Sequence, residues 1–102
     1  MPLLLVFASC DCTRYTNGYV ADYETRKVIK GALIHSYASL DGKTSDERFR
    51  YTDSSGWFET AFALKGVAKC GSLKMEISKD GYQTARIIDK EVGDTVFLYR
   101  QN

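Results

Sequence analysis

Three cysteines, one histidine and one tryptophan are the side chains in this 102-residue sequence best suited to do chemistry. His35 is the natural acid–base candidate, because an imidazole titrates near neutral pH. It has no second histidine to work with, no serine in a G-x-S-x-G turn, and no cysteine that its spacing brings alongside. A neutral structural or surface role on a sheet face is expected for it. Cys10, Cys12 and Cys70 lack the paired spacing of a structural zinc site. Asp41, Asp46 and Glu47 lie in DGKTSDE, which does not space its oxygens as a calcium loop does. Carboxylates sit in turns, and no glycine-rich loop could cradle a phosphate. The expectation is no catalytic residue, no metal and no cofactor.

The stretch VFASCDC points to a different chemistry. Small residues Ala8 and Ser9 precede Cys10 after an apolar run, as at the cleavage site of a bacterial lipoprotein signal, where the cysteine receives the lipid. Residues 1–9 carry no Lys or Arg and are short for an export signal, so this reading takes them as the remnant of a longer or clipped leader. The plainer alternative is that LLLVF adds an edge strand to the fold. On the first reading residues 10–16 form a tether and residues 17–102 a single domain. With Cys10 lipidated, Cys12 and Cys70 remain as an even pair. In an oxidising compartment they could form one disulfide across a long loop, contributing about 3–4 kcal/mol.

The bulk composition narrows the partners. Fourteen basic against thirteen acidic residues leave a net charge of +1, with Lys and Arg scattered. Nucleic acid needs a concentrated basic face and is not expected. A run of eighteen apolar residues does not occur, so no helix is expected to span a membrane. The length suits one domain with one core.

Whatever the chain binds must be positioned by strands. Turn signals recur every eight to twelve residues after residue 16, and short β-rich runs lie between them, the pattern of an all-β sandwich or barrel. Strands are expected over 18–22, 32–39, 49–53, 56–63, 72–78, 82–89 and 94–100, with 40–47 as a turn and a single helical turn over 67–70. Alternation puts Leu73, Met75 and Ile77 on one face and Lys74, Glu76 and Ser78 on the other. Residues 32–39 carry apolar groups on both faces, which marks a central strand or one covered by a neighbour. In GWFETAFA, Phe58 and Phe62 point inward, so Trp57 and Glu59 point outward. An outward Trp57 beside Tyr51 could stack on a sugar or enter a protein partner.

The spacing also resembles a known family. Gly18, Val20 and Asp22, then Gly31, Ala32 and Ile34, then Thr52, Asp53, Gly56 and Phe58, then Ser78, Gly81 and Tyr82 resemble the carboxypeptidase regulatory-like domain over residues 17 to about 100. One turn departs from the pattern: T-G-x-P-(I/L) is replaced by Thr25, Arg26, Lys27, Val28 and Ile29, without the Gly or the Pro. The resemblance implies a seven-stranded antiparallel or mixed Greek-key β-sandwich, transthyretin-like, of a kind common in secreted and surface proteins of bacteria. It implies a non-catalytic module in the cell envelope, periplasmic or surface-exposed. Such a module would be held to the membrane by a lipid anchor and would present its surface to a protein, peptide or glycan. The transthyretin-like fold also hosts hydroxyisourate hydrolase, whose terminal Y-R-G-S is similar to Tyr99, Arg100, Gln101 and Asn102. That activity rests on several histidines, and the one expected near the first strand is matched here by Tyr19. A spacer domain from a larger surface transporter or peptidase is the remaining alternative.

Overall fold

The computed structural model describes residues 12–40, 43–64 and 71–101. Among these residues the chain forms strands and no helix. The strands are β1 (Cys12–Asp22), β2 (Leu33–Leu40), β3 (Lys43–Tyr51), β4 (Trp57–Leu64), β5 (Ser72–Ser78), β6 (Ala85–Ile88) and β7 (Val96–Leu98). They make two sheets, a three-stranded one in the order β4-β1-β7 and a four-stranded one in the order β3-β2-β5-β6. β1 and β7 run parallel and the other paired strands antiparallel.

Alternation does what the sequence leads one to expect. Leu73, Met75 and Ile77 are buried, as are Phe58 and Phe62. β2 lies between β3 and β5, so Ala32, Ile34, Ser36 and Ala38 enter the core while Leu33, His35 and Tyr37 form its outer row. The interior divides in two. A larger apolar cluster joins Val20, Ile29, Ile34, Phe58, Met75, Ile77, Val96 and Leu98, and a smaller one joins Ala38, Phe62 and Leu73. Thr16, Ser36 and Thr60 are buried alongside them. Ser36 Oγ and Thr60 Oγ1 lie 2.9 Å apart, and Thr16 Oγ1 donates to the Lys90 carbonyl at 3.1 Å. Each buried hydroxyl therefore has a partner, as burial away from water requires.

Two expected boundaries are corrected. Residues 12–16 of the expected tether are the first half of β1, paired with β4 from Cys12 opposite Leu64 to Thr16 opposite Thr60. The run CTRYTN has no aliphatic residue to announce a strand, yet Thr16 fills an inward position that elsewhere holds an apolar group. The expected turn over 40–47 is shorter, because Lys43–Glu47 continue β3 beyond a register shift at Ala38/Ser39. An edge strand can be this polar because only one of its sides must pair. The expected helical turn over 67–70 lies outside the described residues.

The motif residues work at the joints. Thr52 Oγ1 accepts from the Ala32 amide at 2.9 Å and donates to the Ile29 carbonyl at 2.6 Å. Asp53 Oδ1 accepts from the Ser55 and Trp57 amides and folds the turn into β4. Gly56 ends that turn at φ 75°, and a Cβ there would stand 2.7 Å from the Val28 Cβ. Gly56→Ala is expected to lower stability by about 2–4 kcal/mol, from left-handed strain and overpacking together. A denaturant midpoint unchanged from the parent chain would contradict this account of the turn.

Candidate functional site

The outer face of β4-β1-β7 gathers most of the side chains that could meet a partner. Alternation along β1 turns Tyr15, Asn17, Tyr19 and Ala21 to this face, with Tyr23 just beyond the strand. In register across the sheet, Tyr19 faces Trp57, Asn17 faces Glu59, and Ala21 faces Phe97 on β7. The face has a polar half and an aromatic half. In the polar half Tyr15 Oη donates to Glu59 Oε2 at 3.0 Å, and Asn17 Nδ2 donates to Tyr15 Oη at 2.7 Å. In the aromatic half the Tyr19 and Trp57 rings meet edge to face, with centroids 5.0 Å apart. Tyr23 contacts Tyr99 at 4.5 Å and Phe97 at 6.3 Å. Between these ring groups lies a groove of about 350 Å³, lined by Tyr19, Ala21, Arg26, Val28, Thr95 and Phe97.

A buried carboxylate positions this half of the face. Asp22 ends β1 and is almost wholly buried. Its Oδ1 accepts from the amides of Glu24 (2.8 Å) and Thr25 (3.0 Å), which bends the chain back on itself. Its Oδ2 accepts from Tyr82 Oη at 2.7 Å and from Arg100 Nε at 2.8 Å. The Thr25 amide and then the Tyr82 hydroxyl do most to hold the Asp22 carboxyl well below the usual carboxylate range, against the opposing effect of burial. Tyr82 is pushed up in turn by donating to that carboxylate. On the inner side of β1, Lys90 lies over the Phe58 ring and donates from Nζ to the Asn17 carbonyl at 2.6 Å, and loss of water around it lowers its pKa.

The residues singled out by sequence divide between the two sheets. Trp57 and Glu59 do share this face, as alternation requires. Tyr51 does not join them. It projects from β3 on the outer face of the other sheet, 68% exposed, opposite Leu33. Alternation separates inside from outside but says nothing about which of two outer faces a residue joins. On the face with Tyr51, His35 lies 2.7 Å from Glu47 Oε1 and stacks on Phe49 at 4.5 Å with ring planes 3° apart. Its imidazole thus ties β2 to β3. Cys12 stands in β1 opposite Leu64, while Cys10, Cys70 and Asp41 lie outside the described residues. Among the described residues no three His, Cys, Asp or Glu side chains gather as they would around a metal ion. Sequence reasoning passed over Arg26, Tyr23 and Phe97. The turn departing from the family pattern was the signal for Arg26, but its neighbours follow only from the pairing of β1 with β7.

No family model matches the chain, and no curated protein matches it. Solved structures do share its fold. A 3-chlorocatechol 1,2-dioxygenase from Rhodococcus opacus superposes with a TM-score of 0.64 at 13% identity, over 87% of this chain and 60% of that one. The C-terminal domain of the shaft pilin SpaA from Lactobacillus rhamnosus GG gives 0.54 at 16% identity, over 88% of this chain and 99% of the domain. A mutant of the longer SpaA gives 0.57 at 19% identity, over 89% of this chain and 48% of that one. The chain therefore spans somewhat over half of the dioxygenase and about half of the longer pilin. At these identities the likeness establishes a β-sandwich.

The Asp22 cluster has a pH signature. A carboxyl whose native pKa is depressed stabilises the fold above its unfolded value near pH 4, and that contribution is lost as pH falls through the native value. Asp22→Asn should therefore lower the melting temperature at neutral pH and flatten its decline between about pH 5 and pH 2. Tyr82→Phe should lower it by about 5 °C at neutral pH. Melting curves of Asp22→Asn and parent chain that run parallel through the acid range would refute the assignment.

Proposed function

We propose that this chain is a non-catalytic binding or scaffolding module of the carboxypeptidase regulatory-like type. In this reading its topology is the transthyretin-like Greek key. A lipid on Cys10 holds it to a bacterial membrane, and it offers a sheet face to a protein, peptide or glycan. The observation that carries the reading is the aromatic face of β4-β1-β7, where Tyr19, Tyr23 and Tyr99 each keep 41–52% of their surface exposed around an apolar groove. Aromatic side chains with one polar end are enriched where proteins meet partners. The charged groups with the closest contacts bond within the chain: Asp22 joins three segments, and His35 with Glu47 joins two strands. The fold likeness to a shaft pilin is in keeping with a scaffolding role.

Cys10 stands two residues before β1, so a lipid there would hold the sandwich close to the bilayer with β1 rising away from it. At about 3.3 Å per residue the Asp22 end of β1 then stands some 33 Å from the anchored end, which leaves the groove clear of the headgroups. Residues 1–9 are in this reading the end of the export leader, and Cys12 with Cys70 is the pair that an oxidising envelope would join.

Intact-protein mass tests the anchor, on material expressed in a bacterial host from the full reading frame. Loss of residues 1–9 with a diacylglycerol-sized addition on Cys10 is expected, with a two-proton deficit that reductant reverses. An unprocessed chain with three free thiols overturns the anchored reading.

A further inference from the structure

We infer that the groove on the outer face of β4-β1-β7 takes an oligosaccharide carrying a carboxylated sugar, with Arg26 as the residue that receives the carboxylate. The inference rests on the reading of this face as a partner surface and names the partner's chemistry. Three independent observations carry it.

Arg26 adopts φ 65°, in the left-handed region that strains a residue with a Cβ and that glycine enters freely. The turn does not need the arginine. It is closed by the Arg26 amide to the Asp22 carbonyl (2.8 Å), by the Asp22 amide to the Lys27 carbonyl (2.8 Å), and by Thr25 Oγ1, which accepts from the Lys27 amide. Backbone and neighbouring side chains make all of these bonds. A strained backbone kept under a long cationic side chain points to work done by that side chain.

The guanidinium is placed but not paired. Its central carbon lies 4.9 Å from the Tyr23 ring centroid and 4.7 Å from that of Phe97, so two aromatic rings hold it over the groove. Among the described residues no carboxylate or other acceptor bonds to it. Arg14, Arg48, Arg86 and Arg100 all engage acceptors of the fold. Arg26 thus presents a planar fork of donors, the geometry that receives a carboxylate in two parallel bonds.

The surroundings favour a sugar over an acidic peptide. Ring groups flank the groove on both sides, Tyr19 with Trp57 on one and Phe97 with Tyr23 on the other, on a sheet face where flat sugar rings can lie. The polar groups beside them are side-chain hydroxyl, amide and carboxylate groups of Tyr15, Asn17, Glu59 and Thr95, suited to hydroxyl partners. Glu59 on the same face opposes a run of acidic residues but accepts sugar hydroxyls, so charge is complementary to one carboxylate near Arg26 and to neutral sugars beyond it.

The test titrates the full chain with aldotetrauronic acid (three xyloses and one glucuronate), with neutral xylotetraose, and with a tetrapeptide bearing one glutamate. Calorimetry and the fluorescence of the single tryptophan, Trp57, report binding. The acidic sugar should bind at least tenfold more tightly than xylotetraose and than the peptide. Arg26→Gly and Arg26→Asn, both suited to a positive φ, should abolish that preference with melting temperatures unchanged or higher. Equal binding of the two sugars keeps the face as a glycan surface but overturns the role of Arg26. So does a preference that survives both variants, or a melting temperature that falls by several degrees in both. Tighter binding of the peptide overturns the sugar. Binding of neither sugar at millimolar concentration removes the glycan reading of the face altogether, while the mass measurement on Cys10 is independent of all these outcomes.

Discussion

One carboxylate, Asp22, ties together the two sheets, between which no strand of one pairs with a strand of the other. It closes β1, the central strand of the smaller sheet, and reaches Tyr82, which precedes β6 of the larger sheet, and Arg100, which follows β7. Backbone bonds reinforce the junction, with Tyr82 bridging Arg100, Gln83 donating to the Tyr99 carbonyl and Gln101 donating to the Gly81 carbonyl. A buried charge is costly unless its oxygens are satisfied. Here four donors meet the two oxygens, so the penalty falls on any arrangement that separates the three segments. The Tyr82 ring lies against the apolar core while its hydroxyl serves the carboxylate, and the same contact both caps the core and fixes the ends of the sheets.

Elsewhere the sandwich depends on close approach and on guarding what it leaves open. Gly18 allows the Asp94 carbonyl and the Lys90 ammonium to reach β1, since a Cβ would stand 2.3 Å from the former. The loop before β7 can then donate from Gly93 to Asn17. One edge of the larger sheet is β3. The Thr52 amide donates to the Ala32 carbonyl, a pairing that turns Arg48 and Arg50 toward β2 and the Glu47 and Phe49 carbonyls outward. Those two carbonyls accept from Arg48 and Arg50 of the same strand, at 2.9 and 3.0 Å. Part of an edge that could template another chain is thereby covered by its own guanidinium groups.

What was legible in the sequence is what period-two alternation encodes. The inward rows of β4 and β5 and the central place of β2 could be read from spacing. The first half of β1 could not, because CTRYTN contributes hydroxyls and one large ring rather than aliphatic groups, and a buried threonine satisfied by a distant carbonyl has no local signature. Asp22 was visible as a position in a pattern, but its partners lie 60 and 78 residues away along the chain. The grouping of Trp57 with Tyr51 failed for a related reason, since alternation is a property of one strand and sheet membership is a property of the whole fold. In the sequence, Arg26 stands out only as a residue with a side chain where the pattern has glycine. Its meaning depends on Phe97, which the parallel pairing of β7 with β1 brings beside it.

That parallel pairing has a mechanical consequence. Because β7 runs in the direction of β1, with Val20 beside Val96 and Asp22 beside Leu98, the described chain starts at one pole of the sandwich and finishes at the other. Tension applied through the two ends pulls β1 and β7 in opposite directions along their length. Their bonds are then loaded together in shear rather than opened one after another like a zip. The Arg100–Asp22 contact lies across the same seam, so sliding the two strands apart means extracting an ion pair as well as breaking a ladder.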